Sequence, residues 1–417
     1  MDKVLTVSVI GMGARGFLYA SLMKDRPDQF RIVAVCECIE ERRNNARKAF
    51  SLCDDALFEK EEDFFRQKRS DVLIVSTQDQ DHVAHAIQGL QLGYDILMEK
   101  PISDNEQDCL RLQQAAKIYR KKIIVCHVLR YAPAFVKLKE LLESRIIGDL
   151  VFFEGTEQVQ YLHYAHSYVR GNWRNDAKAA PMILAKCCHD LDLFQWFACS
   201  SCESVSSFGS LAFFKKENQP ENATDRCSEC PQEETCPYSA KNIYIRNRFW
   251  GRNMITDLRP VTDQIVSEAL KTGPYGRCVF ACDNNVVDHQ IVHLRFQNGI
   301  RADLKMLAFT SGWGRNLNFY GTYGNIAFSE EKDLIEVMPF NREKITYAIS
   351  SLGDTFSGHG GGEKRMIDRF YDKIVHDQGD EMTTLEESLE SHYIGFAAEK
   401  SRLKNGQPIE VHPIVRE

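Results

Sequence analysis

Four short stretches carry the residues best suited to chemistry. Gly11-Met12-Gly13-Ala14-Arg15-Gly16 follows the apolar run Val4 to Ile10 directly and opens a helical pattern. In that setting the first glycine permits a tight turn, the second lets backbone amides approach a pyrophosphate, and the third lets helix and strand pack closely. Glu37 closes the second apolar run, 26 residues after Gly11, where a carboxylate can accept both hydroxyls of a ribose. A dinucleotide site follows. The carboxylate repels a 2′-phosphate and favours NAD, while Arg42 and Arg43 lie near enough to leave NADP open.

The second stretch, Tyr161-Leu162-His163-Tyr164-Ala165-His166-Ser167-Tyr168, precedes Trp173-Arg174 and is rich in groups that stack on sugar faces and hydrogen-bond to hydroxyls. His163, His166, Tyr168 and Trp173 are its candidate contacts, with a core role as the alternative. His359, inside the glycine run Gly358 to Gly362, is a further candidate, a flexible hinge being the other reading. The fourth stretch, Cys227-x2-Cys230-x5-Cys236, with Cys278 or Cys282 as a fourth thiolate, suits a structural zinc, against the alternative of free thiols. Asp288-His289 falls on a strand whose alternate faces are polar, and His289 reads as a satisfied sheet histidine.

These side chains need a scaffold, and the pattern of apolar runs supplies one. Val4 to Ile10, Arg31 to Glu37, Asp71 to Thr77, Tyr94 to Lys100 and Lys122 to Val128 alternate with helical patterns, as in a parallel sheet covered on both faces. The fold class is α/β, with a Rossmann dinucleotide-binding domain over residues 1–128 and a second α/β domain over 129–417 whose sheet is open and mainly antiparallel. After a helix near Ala134 to Ser144, alternating runs from Val286 to Phe309 flank Asn298-Gly299, the signal of a type I′ hairpin. Asn316 to Tyr320, Leu334 to Met338 and Lys344 to Ile349 extend that sheet, and helices near Glu363 to Val375 and Leu385 to Leu403 close the chain. Residues 214–276 read as a polar, cysteine-containing insertion, too long for a structureless loop.

Glu99-Lys100-Pro101 behind this glycine fingerprint, with Ser76-Thr77, His82, Arg130-Tyr131 and His189-Asp190-Leu191-Asp192, resembles the family of glucose-fructose oxidoreductase, inositol 2-dehydrogenase and the rhizopine catabolism oxidoreductases. The resemblance covers nearly the whole chain except the insertion. It implies a reaction site in the crevice between the two domains, with Lys100 beside the nicotinamide and the reacting alcohol. Ser76, Thr77, His82 and Glu99 then fall on the cofactor side and Arg130 on the substrate side. Removing hydride from a carbinol requires a group that takes the hydroxyl proton, and a partly desolvated lysine can be tuned for that.

Met182 to Ala198 reads as one helix with Ala185, His189, Asp192 and Trp196 on a shared face. Family dehydrogenases usually show Asp-x-Gly-x-His-x-x-Asp there; this chain has Ala185, Cys187, His189 and Asp192, so the first acid and the glycine are missing. Lys186 stands one turn before His189, where its cation depresses the imidazole pKa and can replace the acid as shuttle or anchor; a surface pair with Asp190 is the alternative.

The reading is an NAD-dependent oxidoreductase acting on CH–OH groups of a sugar, cyclitol or related polyol, with Lys100 as main acid/base, His189 assisting and Lys186 tuning. One alternative is a glycoside-cleaving enzyme that oxidises its sugar transiently and eliminates the aglycone. A non-catalytic NAD-binding sensor is the other. With 52 basic against 59 acidic side chains the net charge is -7, which provides no general attraction to nucleic acid or an anionic membrane. No apolar window suits a membrane span, and the 14 cysteines without a recognisable leader fit a reducing, cytoplasmic setting. Homo-oligomers paired sheet to sheet are what the resemblance implies.

Overall fold

The computed structural model describes residues 3–353, 359–378 and 382–411. Its first sheet contains β1 (Leu5–Ile10), β2 (Phe30–Cys36), β3 (Leu57–Phe58), β4 (Val72–Val75), β5 (Asp95–Met98) and β6 (Ile123–Val125), in the order β3-β2-β1-β4-β5-β6. Every neighbouring pair is parallel. Val72-Leu73-Ile74-Val75 is wholly buried, as a strand covered by helices on both faces must be. All five expected apolar runs hold a strand, and the two-residue β3 is too short to give a period. The chain leaves β1 toward β2 and later returns to its other side with β4. The crevice beyond the carboxyl ends of β1 and β4 is therefore the switch point at which such sheets bind ligands.

The second sheet has nine strands: β7 (Leu150–Gln158), β8 (Cys202–Ser210), β9 (His289–Phe296), β10 (Arg301–Leu307), β11 (Gly314–Gly321), β12 (Gly324–Ser329), β13 (Leu334–Pro339), β14 (Ile345–Ala348) and β15 (Ile409–Glu410). Their order is β14-β13-β12-β11-β7-β10-β9-β8-β15, antiparallel throughout except for the β7–β10 pair. Along β9 the even-numbered Gln290, Val292, Leu294 and Phe296 are buried while Ile291, His293 and Arg295 are exposed, so one face is covered and the other open. Helices cover the inner face, for example Cys188–Ala198, where Phe194 meets Phe153 of β7 at 4.8 Å. The helix Gly362–Val375 instead returns to the first sheet, where Met366, Ile367 and Phe370 join Leu5, Val7 and Val9. No helix among the described residues is long and apolar enough to cross a membrane.

Two local expectations are corrected. The β9–β10 connection is not a type I′ turn, because only Gly299 has positive φ (94°); the Gly299 amide donates to the Phe296 carbonyl and the Phe296 amide to the Ile300 carbonyl, both at 3.0 Å. That is the three-residue connection with a glycine bulge, the other common way to join twisted strands. The insertion, read as polar, is nonetheless held by apolar burial. Phe214, Ile243, Tyr244, Phe249, Val266 and Leu270 are buried in the main core, and Arg170, fully buried, donates to the Arg277 and Tyr238 carbonyls at 2.7 Å each.

Candidate active site

The cofactor side is built almost entirely from backbone. Gly11 has φ 86° and lies so close under Ser76 that a Cβ would come within 2.5 Å of that residue's carbonyl oxygen. A Cβ on Gly16 would collide with the Gly11 carbonyl, so both positions admit only glycine. At Gly13 the situation is the opposite: a Cβ would meet only Arg42 Nη1, at 3.9 Å, and the space above the loop is open. The helix Ala14–Lys24 begins there without a side-chain cap, which leaves its first amides, Ala14 and Arg15 included, for an anion. Glu37 is buried against the loop, its Oε2 accepting the Met12 amide at 2.7 Å and its Oε1 the Ile39 amide at 3.0 Å. Uncapped amides, an open glycine cradle and a pinned carboxylate suit a dinucleotide.

Other residues assigned to the cofactor side shape the groove from behind. Ser76 Oγ donates to the Gly11 carbonyl at 2.8 Å, and Thr77 Oγ1 lies 3.0 Å from His85 Nδ1. His82 is corrected from a cofactor contact to a brace. It is buried, with Nδ1 2.7 Å from the Pro101 carbonyl and Nε2 3.3 Å from the Thr77 carbonyl, and so ties the turn after β4 to the turn after β5. The Arg15 side chain also turns inward, donating to Glu99 at 2.8 Å and to Glu363 at 3.1 Å. Burial would raise the Glu99 carboxyl, but the Arg15 and Lys100 cations together with hydrogen bonds hold it below its ordinary value.

Lys100 stands just beyond β5, and its Nζ donates to the Ala185 carbonyl at 3.2 Å. Ala185, where the resemblance implies an acid, thus contributes a backbone oxygen. Next to Lys100 is a run of imidazoles. The His189 ring lies 5.5 Å from His359 and 5.8 Å from His127, which in turn is 5.9 Å from His392. Burial, then the Lys100 charge, pushes His189 well below the usual histidine range, so its resting form is neutral. Its Nδ1 is buried without a partner. His359 Nδ1 sits 2.5 Å from Glu363 Oε1; burial nonetheless lowers its pKa, with Glu363 opposing. Gly358, its neighbour in the glycine run, lies outside the described residues. His127 went unnoticed in the sequence. It is fully buried with both ring nitrogens unpartnered, a cost of about 1–3 kcal/mol for each such group.

Lys186 is corrected. The expected single helix is two, Met182–Ala185 and Cys188–Ala198, with Cys187 near φ -96°, ψ 10° between them. The break cancels the helical spacing that related Lys186 to His189 and Asp190. Lys186 Nζ instead pairs with Glu157 Oε1 of β7 at 2.7 Å, and Arg315 bridges onward, 2.9 Å from Glu157 Oε2 and 2.8 Å from Asp190 Oδ1. Glu157, Arg315 and Asp190 are all buried. Against the penalty of burial, the Arg315 and Lys186 cations hold Glu157 below its usual value, whereas burial and the Glu157 charge leave Asp190 raised. A signal existed for Glu157: a carboxylate in the buried phase of an alternating strand demands a cation. Arg130 is corrected too. Asp192 holds it in a fork at 2.7 and 2.8 Å and Glu387 takes Nη1 at 3.0 Å, which fixes the helix bearing His189 and leaves little for a substrate.

The aromatic stretch divides. His163 is half-buried; burial and then the charges of Lys186, His166, Lys100 and His359 drive its pKa well down. Tyr168 packs 5.9 Å from it, and Trp173 Nε1 is 3.5 Å from Asp79 of the first domain. His166 is corrected. It is buried in the insertion, stacked on Tyr275 at 4.7 Å with Nδ1 3.0 Å from the Tyr244 hydroxyl, and burial takes its pKa to about 4. The zinc expectation is not upheld. Among the described residues no group of three or more His, Cys, Asp or Glu could hold a metal ion. Cys227, Cys230, Cys236 and Cys278 do line one small cavity, but the buried Arg170 guanidinium shares it, with Nη2 3.5 Å from Cys227 Sγ, and a fixed cation opposes a second one. His289 in its strand has Nδ1 2.9 Å from Asp288 Oδ1.

Comparisons with known proteins fall on both domains. Residues 5–127 match the family model described as the NAD-binding Rossmann fold of an oxidoreductase family, and residues 139–411 match the C-terminal alpha/beta domain of the same family. YteT of Bacillus subtilis (strain 168), named as an oxidoreductase, is 23% identical over 325 residues, 74% of each chain. An inositol 2-dehydrogenase of Rubrobacter xylanophilus is 25% identical over 208 residues, 48% of this chain and 54% of its own length. Among solved structures, a levoglucosan dehydrogenase in complex with NADH and levoglucosan superposes with TM-score 0.72 at 17% identity, covering 98% of this chain and 100% of the other. The WlbA dehydrogenase from Bordetella pertussis, in complex with NADH and UDP-GlcNAcA, gives 0.72 at 15% identity and 99% of both chains. At those identities the structures share the fold.

Proposed function

Because this chain belongs to the oxidoreductase family of glucose-fructose oxidoreductase, inositol 2-dehydrogenase and the rhizopine catabolism enzymes, we propose that it oxidises a carbinol of a sugar, cyclitol or related polyol with NAD. The observation that carries this reading is the gathering of Lys100, His189 and His359 near an open glycine cradle at the switch point of the sheet. Gly11, Gly13, the Ala14 and Arg15 amides and Glu37 would hold the dinucleotide, which when bound supplies the two-electron acceptor. Lys100 Nζ takes the hydroxyl proton as the carbinol is oxidised. Neutral His189 accepts a hydrogen bond from the substrate and hands it no charge. Glu157 and Arg315 keep Lys186 in place at the cleft edge, so that its cation faces the oxygen that develops negative charge. Sugar-type ligands in the levoglucosan and UDP-GlcNAcA complexes support the substrate class.

The test is a panel of sugars, cyclitols and glycosides with purified protein and NAD, reading reduced nicotinamide and released aglycone together. Reduced nicotinamide rising with product is the expected result. Aglycone release without it would replace this reading by transient oxidation and elimination. Silence in both channels with tight NAD binding would replace it by a sensor.

A further inference from the structure

One segment of the insertion packs against His163. Phe249 is buried and Gly251 is packed so tightly that a Cβ on it would stand 2.8 Å from the His166 ring, yet Trp250 between them is 49% exposed. Its ring lies 5.1 Å from His163 at an interplanar angle of 73°, 5.8 Å from His166 and 4.8 Å from Phe249. His163 in turn packs 5.9 Å from Tyr168, whose ring lies 6.3 Å from Trp173, and Trp173 Nε1 is 3.5 Å from Asp79 of the first domain, so the indole stands near the seam between the two domains. The segment is fastened beyond Trp250 as well. Arg252 pairs with Asp263 at 2.6 Å, and Asp257 pairs with Arg42 at 2.9 Å, the same arginine that overhangs Gly13. It therefore runs like a strap from His163 to the dinucleotide loop.

We propose that Trp250 is a specificity-determining residue, a rigid platform on which the apolar face of a pyranose or cyclitol ring stacks. This rests on the substrate class proposed above. The ring C–H groups of such molecules carry partial positive charge and the indole face a partial negative one, and an aromatic clamped along its edge gives up little freedom when it is covered. Exposure here has a reason. A half-bare tryptophan between two buried residues keeps apolar surface in water, which a ring-shaped ligand removes. The insertion then acts as the substrate-facing wall of the cleft, which explains why it is anchored to both domains.

The test compares the full chain with Trp250→Ala and Trp250→Phe, all saturated with NAD. Sugar affinity is measured by calorimetry with myo-inositol, glucose and a methyl glucoside, and KM and kcat with any of them that is oxidised. Trp250→Ala should weaken sugar binding and raise KM by about 10-fold while kcat and NAD affinity move less than about 3-fold, and Trp250→Phe should recover most of the loss. Unchanged sugar affinity in Trp250→Ala overturns the platform, as does a wild-type protein that binds none of the sugars. So does a loss that Phe fails to recover and that comes with a lowered Tm, because that is a packing role. A wild type that binds sugar through Trp250 but never reduces NAD leaves the platform standing and removes the oxidoreductase reading.

Discussion

The two walls of the cleft are built on different principles. On the Rossmann side, Gly11, Gly13 and Gly16 fall within six residues and work through backbone, so the site exists as soon as β1 and the following helix do. On the opposite side Lys186, Glu157, Arg315, Asp190, His163 and Trp250 come from five separate segments and work through charged or aromatic side chains that must find one another. The first wall tolerates little change and needs little support. The second can be re-specified for a new substrate, at the cost of a buried ionic network that is expensive to leave incomplete.

Several changes break or sharpen that contrast. The largest effect is expected where the walls meet: Lys100→Met should lower kcat by about 10²–10⁴-fold with NAD affinity within a few-fold, read by steady-state rates and calorimetry. Next is the second wall's network. Arg315→Met strands Asp190 as a buried acid, leaves Glu157 with Lys186 alone, and should cost about 3–5 kcal/mol in denaturant unfolding, with activity lost in step. On the first wall, Gly13→Val puts a side chain into the open cradle; NAD affinity should fall by about 100-fold while the Tm of the apo protein stays nearly constant.

The smallest effect per group is a pH dependence. His127, His163, His189, His359 and, at about 3, His392 are held below the ordinary histidine value by burial, and His166 is at about 4. The unfolded chain takes up protons near pH 6.5 that the folded one refuses. Stability is therefore full above that pH and falls as the pH drops through it, by about 1.4 kcal/mol per pH unit for each histidine still neutral in the fold. Tm measured from pH 7.5 to 5 should fall accordingly, and a Tm flat over that range would show these imidazoles to be solvated.

Legibility in the sequence followed the same division. The parallel sheet, the glycine loop, Glu37 and the Lys100 turn were readable because each depends on neighbours in the chain or on a period of two. The helix Leu385–Leu403 matched residue for residue, its start marked by Thr384, whose side chain accepts the Glu387 amide. The partners of Lys186, Arg130 and His166 were not readable, for a common reason. Each is a polar group whose partner lies far along the chain, in β7, in Asp192 and in the insertion respectively. The cysteine spacing suggested a metal, but spacing does not reveal that Arg170 enters the same cavity. His127 had no local signal beyond its place before Arg130 at the domain junction.

The central claim is that this cleft oxidises a carbinol at the expense of NAD. It is tested most directly by a single turnover of excess protein with NAD and a sugar substrate deuterated at the reacting carbon. One equivalent of reduced nicotinamide carrying deuterium is expected, formed more slowly than with the protiated sugar. Product formed without deuterium in the nicotinamide, or no reduced nicotinamide from any sugar that binds, would contradict it.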